Sequence, residues 1–206
     1  MFRALSLAVL FSIIGHLNLT DQDAPKNIIF FGDSITAGYG IPIEQSFPSL
    51  VQQKLDEKEL NYKVINAGLS GETSAGGLNR IDWILRSKPE IFFLELGGND
   101  GLRGLSLEET EKNLKSMIDK IKAANSEAQV FLCGMQIPPN LGQDYTAQFR
   151  ELYPKVAKEK NVKLIPFLLE GVGGNPKLNL SDGIHPNPQG HKIVAETVWE
   201  YLKPRL

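Results

Sequence analysis

The chain carries one cysteine, three histidines and no run of lysine or arginine, and each shortage excludes a class of function. A single thiol, Cys133, cannot build a disulfide framework within one chain. Its place in the apolar run VFLCGM makes it a core residue rather than a reactive one. Three histidines, with His16 in the N-terminal segment, are too few for a structural zinc site and argue against a metallohydrolase. No metal is therefore expected. A formal net charge of −2 without a basic tract excludes nucleic acid as the main partner, because phosphate binding needs a concentrated cationic face. The phosphate-cradling pattern G-x-x-x-x-G-K-[ST] is missing. So is G-x-S-x-G, the strand-to-helix elbow of α/β-hydrolases. No internal repeat or low-complexity tract is visible.

What remains is ordinary globular material: 206 residues, 42% hydrophobic and 22% charged, enough for one domain with a sizeable core. The first 20 residues hold one basic side chain, Arg3, followed by an apolar stretch over 4–14. That order matches the n- and h-regions of a signal peptide. The stretch is too short to span a bilayer comfortably. No clear A-x-A site follows it. A cleaved signal is the first reading and an uncleaved apolar anchor the second. Residues 1–25 are thus assigned to targeting and 26–206 to the domain. The protein is expected outside the cytoplasm, periplasmic or extracellular, touching membrane only through that segment. A lone cysteine suits export.

Five short apolar runs, 27–31, 63–66, 90–96, 129–135 and 162–167, are nearly continuous in Ile, Val, Leu and Phe, as strands buried on both faces are. Helical patterns fall between and after them, at 46–60, 73–86, 107–124, 144–160 and 188–202. The third opens with Ser106 and Glu109, the spacing of a capping box. Strand alternating with helix predicts right-handed crossovers, hence an α/β domain with a parallel sheet covered on both faces.

Chemistry is expected at the carboxyl ends of such strands, beside the point where strand order reverses. The first strand ends in GDSITAG with Ser34, the second in NAGLSGETS with Gly71, the third in LGGND with Asn99. With strand order 2-1-3-4-5 these three loops meet over one cleft. Near the C-terminus, LSDGIHP places Asp182 three residues before His185. A serine hydroxyl is a weak nucleophile until a base takes its proton. The base needs a partner that holds its tautomer and stabilises the imidazolium. His185 with Asp182 fits that requirement. The amides of Ser34 and Gly71 and the side-chain NH₂ of Asn99 are the candidate donors for an oxyanion.

The four blocks GDSITAG, NAGLSGET, GGND and DGIHP, in this order over residues 32–186, make the chain resemble the SGNH (GDSL-type) hydrolases. The serine block reads GDSI where that family has GDSL. LELGGNDGLRG, GLSGETSAGGL and DGIHPN are most similar to the bacterial periplasmic multifunctional esterases of the thioesterase I/protease I/lysophospholipase L1 type. The resemblance implies a flavodoxin-like three-layer α/β/α sandwich with a five-stranded parallel sheet. It implies a Ser34, His185, Asp182 triad, an oxyanion hole of Ser34, Gly71 and Asn99, and no cofactor. It also implies action on small acyl esters, acyl thioesters and lysophospholipids.

Each motif alone has a plainer reading. Gly, Asp and Ser are turn formers, so GDS and SDG are ordinary turns by themselves, and GGND is an ordinary loop. Four such loops with complementary roles outweigh that reading. Leu102, Leu105, Ile137 and Pro138, with Leu141 beside them, are assigned to an acyl pocket after the third and fourth strands. Arg103 either meets an anionic head group or faces solvent. His191 falls within the last helix and is assigned to surface or packing. Glu95 lies in a strand expected to be buried, where an acid must be paired or neutral, and the sequence names no partner for it. Residues 18–20 and 179–181 match the N-glycosylation pattern, the second too close to Asp182 to be credited. A carbohydrate O-deacetylase of the same fold, or a silent lipid- or carbohydrate-binding module, stays open. The chain is expected to act as a monomer.

Overall fold

The computed structural model describes residues 24–206. The assignment of residues 1–25 to targeting, His16 and the glycosylation match at 18–20 therefore lie outside the described residues, save positions 24 and 25.

Strand β1, Lys26–Gly32, supplies a run of buried residues from Ile28 onward and lies inside the sheet, between β2 and β3. After it come β2 (Tyr62–Gly68), β3 (Ile91–Glu95), β4 (Gln129–Cys133) and β5 (Lys163–Ile165). All pairings are parallel and the order is β2-β1-β3-β4-β5. Chain order reverses on either side of β1, so the β1 and β3 ends flank the expected crevice. Predicted strands 129–135 and 162–167 prove shorter. Pro166 has no amide to offer a ladder, and β5 ends before it.

Among the described residues, seven α-helices flank the sheet: α1 (Ser34–Ala37), α2 (Phe47–Asp56), α3 (Ser74–Ile84), α4 (Gly98–Leu102), α5 (Leu107–Ala124), α6 (Gln143–Lys160) and α7 (Pro188–Leu202). Helix α2 packs on α7, while α5 packs between α3 and α6. The pleat sorts aromatic residues between these two groups. Phe30, Phe93 and Phe131 are register partners and stack at 4.6 Å centroid spacing, with Phe47 of α2 edge-on to Phe30 at 5.3 Å. Phe31 points the other way, toward Gly77 of α3. Each such ring, fully buried, contributes about 1.5–3 kcal/mol.

Helix ends follow local chemistry. The Ser106 hydroxyl accepts from the Glu109 amide at 3.3 Å and starts α5 where its sequence pattern does. Thr73 does the same for α3 through the Gly76 amide. The pattern over 46–60 stops early, at Asp56, and the chain turns at Glu59 with φ +54°. His191, assigned to surface or packing, is buried, and its Nδ1 accepts from the Phe47 amide at 3.1 Å, joining α7 to the start of α2. Burial pushes its pKa down to about 4, which keeps Nδ1 free to accept.

Candidate active site

The chain leaves β1 through Gly32, where a Cβ would lie 2.2 Å from both Glu95 Oε2 and Thr36 Oγ1. Only glycine fits there. Asp33 then caps α1, its Oδ1 accepting from the Ile35 amide at 3.0 Å, and Ser34 opens the helix, largely buried.

The partner loop is shaped before it meets the serine. Asp182 Oδ1 accepts from the amides of Ile184 at 2.8 Å and His185 at 3.0 Å. Leu180 N–H donates to the His185 carbonyl at 2.8 Å, closing the loop across Asn179 and Pro186. Its second oxygen, Oδ2, lies 2.7 Å from His185 Nδ1, and His185 Nε2 lies 2.9 Å from Ser34 Oγ. A carboxylate can only accept, so the proton between them sits on Nδ1 and Nε2 is left to accept the serine hydroxyl. The amides of His185 and Ile184, then the imidazole, hold the Asp182 carboxyl down at about 2.

Behind the serine lies a second acid pair. Glu95 Oε2 accepts from the Asp33 amide at 3.1 Å and from Thr36 Oγ1 at 2.7 Å. These are the partners the sequence does not name. Complete burial, and then the charge of Asp33, push Glu95 well above the usual carboxylate range. Its Oε1 has no hydrogen-bond partner among the described residues. Burial lifts Asp33 to about 6, against the opposing effects of the Ile35 amide, His185 and Asn99.

Asn99 reaches this pair from α4. Its Nδ2 donates to Asp33 Oδ2 at 3.0 Å and to the Glu72 carbonyl at 3.1 Å. The neighbouring Asp100 is buried and accepts from the Ser74 amide at 2.8 Å, from Ser74 Oγ at 2.6 Å and from Thr110 Oγ1 at 3.2 Å. It thereby ties α4 to α3 and α5. Glu72 is also buried and ion-paired with Arg80, whose guanidinium donates to the Ala67 carbonyl and lies 4.2 Å from the Phe31 ring. Arg103 bridges the two loops instead of extending freely, donating to the Gly71 carbonyl at 2.9 Å. Gly71 itself has φ +80° and is exposed. The amides of Ser34 and Gly71 donate to nothing among the described residues.

A cleft of about 520 Å³ opens beside these groups, lined by Ser34, Asn99 and His185 and walled by Ile35, Leu102, Met135, Ile137, Pro138, Phe167, Leu169 and Ile184. Leu102, Ile137 and Pro138 line this cleft. Leu105 does not line it. After the turn at Gly104, φ +65°, its amide returns to Asp100 and its carbonyl is held by Tyr145. Leu141 is outside as well. Phe167 and Leu169 were missed, although they follow the fifth strand as Leu102 follows the third. A broader groove of about 800 Å³ between α5 and α6 is lined by Glu111, Lys115 and Lys155, whose charges pair with one another, and it lies away from the serine. Asn179 is buried, its amide donating to the carbonyls of Val172 and Asn175, which closes the glycosylation match at 179–181. Among the described residues, no helix is long and apolar enough to cross a membrane.

Residues 30–193 match the GDSL-like lipase/acylhydrolase family. The esterase TesA of Pseudomonas aeruginosa is 43% identical over 189 residues, 91% of this chain and 93% of that one. The thioesterase 1/protease 1/lysophospholipase L1 of Escherichia coli K12 is 38% identical over 182 residues, 88% of this chain and 85% of its own. Among solved structures, the psychrotrophic esterase EstA from Pseudoalteromonas, inhibited by monoethylphosphonate, superposes with a TM-score of 0.82 at 32% identity. That match covers 87% of this chain and 97% of EstA.

Proposed function

From the chain's membership of the GDSL-like lipase/acylhydrolase family, and hence its activity as an ester or thioester hydrolase, we propose a serine mechanism in which Ser34 is acylated. One observation carries this reading: the unbroken line Ser34 Oγ, His185 Nε2, His185 Nδ1, Asp182 Oδ2, with links of 2.9 and 2.7 Å, beside an apolar cleft.

Substrate enters with its acyl chain against Leu102, Ile137 and Pro138. Ser34 Oγ attacks the carbonyl carbon while His185 Nε2 takes its proton, and Asp182 stabilises the imidazolium. The carbonyl oxygen becomes an oxyanion, met by the free amides of Ser34 and Gly71 and by Asn99 Nδ2. Asn99 now gives its two hydrogens to Asp33 and Glu72, so it must turn one of them to the substrate. The imidazolium returns its proton to the leaving alkoxide or thiolate, leaving an acyl-enzyme. Water, deprotonated by His185, attacks that ester and restores the serine.

The walls of the cleft favour an acyl or aryl group over a polyhydroxylated sugar. The apolar stretch at 4–14 supports export. An organophosphonate should add to Ser34 alone, read by peptide mass spectrometry. Ser34→Ala should abolish both the adduct and the turnover of p-nitrophenyl butyrate, octanoyl-CoA and a lysophospholipid. An adduct on another serine would overturn the assignment.

A further inference from the structure

The motif that carries the serine continues into Gly38, Tyr39 and Gly40, and none of the chemistry above uses them. Both glycines lie in left-handed backbone at φ +76°. The amides of Gly38 and Tyr39 donate to the carbonyl of Ser34 itself, at 3.1 and 3.0 Å. Tyr39 is therefore tied to the nucleophile's own peptide unit. A Cβ on Gly40 would come within 2.6 Å of Leu180 Cδ1, so this turn also rests against the loop that presents His185. The Tyr39 ring ends 4.6 Å from the His185 ring, centroid to centroid, at a tilt of 41°. Its hydroxyl meets no hydrogen-bonding group among the described residues, and 51% of the residue is exposed. The ring, not the hydroxyl, makes the contact.

We propose that Tyr39 is a positioning residue for His185, its ring face holding the imidazole on the line between Asp182 and Ser34 and stabilising the imidazolium formed on proton transfer. The inference rests on the reading of His185 as the base. Both nitrogens of the imidazole are occupied, Nδ1 by Asp182 and Nε2 by Ser34. The ring's faces and its carbon edges remain for a neighbour, and Tyr39 comes within 4.6 Å of the ring there. An aromatic face attracts a cation through its quadrupole. The other titratable groups that act on this ring are Asp182 on its own loop, Asp33 from the turn after β1 and the neutral His191 from α7. None of them covers its face with an apolar plane.

The test compares Tyr39→Phe with Tyr39→Leu, the second filling the space without a π system. The readouts are kcat and KM for p-nitrophenyl butyrate across pH 5–9, with the NMR titration of the His185 ring in the free enzyme. Tyr39→Phe should stay within about twofold of the parent, as loss of an unbonded hydroxyl implies. Tyr39→Leu should lose about two- to fivefold in kcat, the range set by an exposed cation–π contact, with KM little changed. The acid limb of kcat/KM and the NMR midpoint should move together to lower pH, because the imidazolium has lost a stabilising neighbour. An unmoved limb and midpoint in Tyr39→Leu would overturn the proposal. So would a rise in KM alone, which would make Tyr39 a wall of the substrate site, or equal damage in Tyr39→Phe. Full activity in His185→Ala would instead remove the assignment of the base and leave the titration of the ring to judge Tyr39 separately.

Discussion

Asp182 lies on an open loop in front of Ser34, and Asp33 lies buried behind it. The first accepts from two backbone amides and an imidazole, and its pKa is held at about 2. The second accepts from one backbone amide and the Asn99 side chain, rests against Glu95, and its pKa is lifted to about 6. The same side chain is thus a permanent anion on one side of the serine and a titrating group on the other. Donors outnumber the loss of water at Asp182, and the reverse holds at Asp33. A fixed negative charge suits the task of stabilising an imidazolium. Near an oxyanion, a carboxylate that can shed its charge, or whose bond to Asn99 can be exchanged, repels less.

Removing the front charge is the strongest way to break this contrast. Asp182→Asn keeps the shape but cannot hold the Nδ1–H tautomer, and kcat for p-nitrophenyl butyrate should fall on the order of 10³–10⁴-fold with KM nearly unchanged. Asn99→Ala should cost about 10²–10³-fold in kcat, the usual loss for one oxyanion donor. Asp33→Asn should cost less, on the order of tenfold, since it disturbs the orientation of a donor without deleting it. If Asp33→Asn proved as damaging as Asp182→Asn, the two carboxylates would share one role and the contrast would fail.

Stability separates the two acids as well, and there they differ in sign. The Asp33 pKa is raised in the fold from 3.8 to about 6. Its contribution is fully present below about pH 3.8 and is lost as pH rises through 6, about 3 kcal/mol for a group this buried. Asp182 is lowered, so its contribution is present above pH 3.8 and is lost as pH falls through about 2. Urea denaturation at intervals from pH 3 to 7 should show Asp33→Asn losing less stability than the parent between pH 4 and 6. Glu95 steepens the parent's decline, because its own pKa is raised partly by the charge on Asp33. Identical slopes in parent and variant would show that Asp33 does not titrate in this range.

How much of this is legible in the sequence depends on distance along the chain. Apolar runs reveal all five strands, since a parallel strand covered on both faces needs no partner to be recognised. Ser106 marks the start of α5 through a contact three residues long. The loops carrying Ser34, Gly71 and Asn99 meet because a 2-1-3-4-5 sheet brings the ends of β1, β2 and β3 together. Helices α1 and α4 escape notice because four or five residues are too few to display a period. The partners of Glu95 depend on the pairing of Gly32 with that residue across the sheet, 63 positions apart by their numbers. Leu105 turning away from the cleft and Phe167 lining it escape the sequence for one reason. A loop's composition says that it is apolar, not which way each side chain turns.

The bond between Ser34 and His185 joins residues 151 positions apart. Every strand of the sheet lies on the amino side of position 166. During synthesis, from the N-terminus forward, Ser34 and the whole sheet emerge before the loop that bears His185. An unfinished chain can therefore pair all five strands while it still lacks α7, the cleft wall at Ile184 and His185. Competence to cleave esters arrives last, as a property of the completed polypeptide.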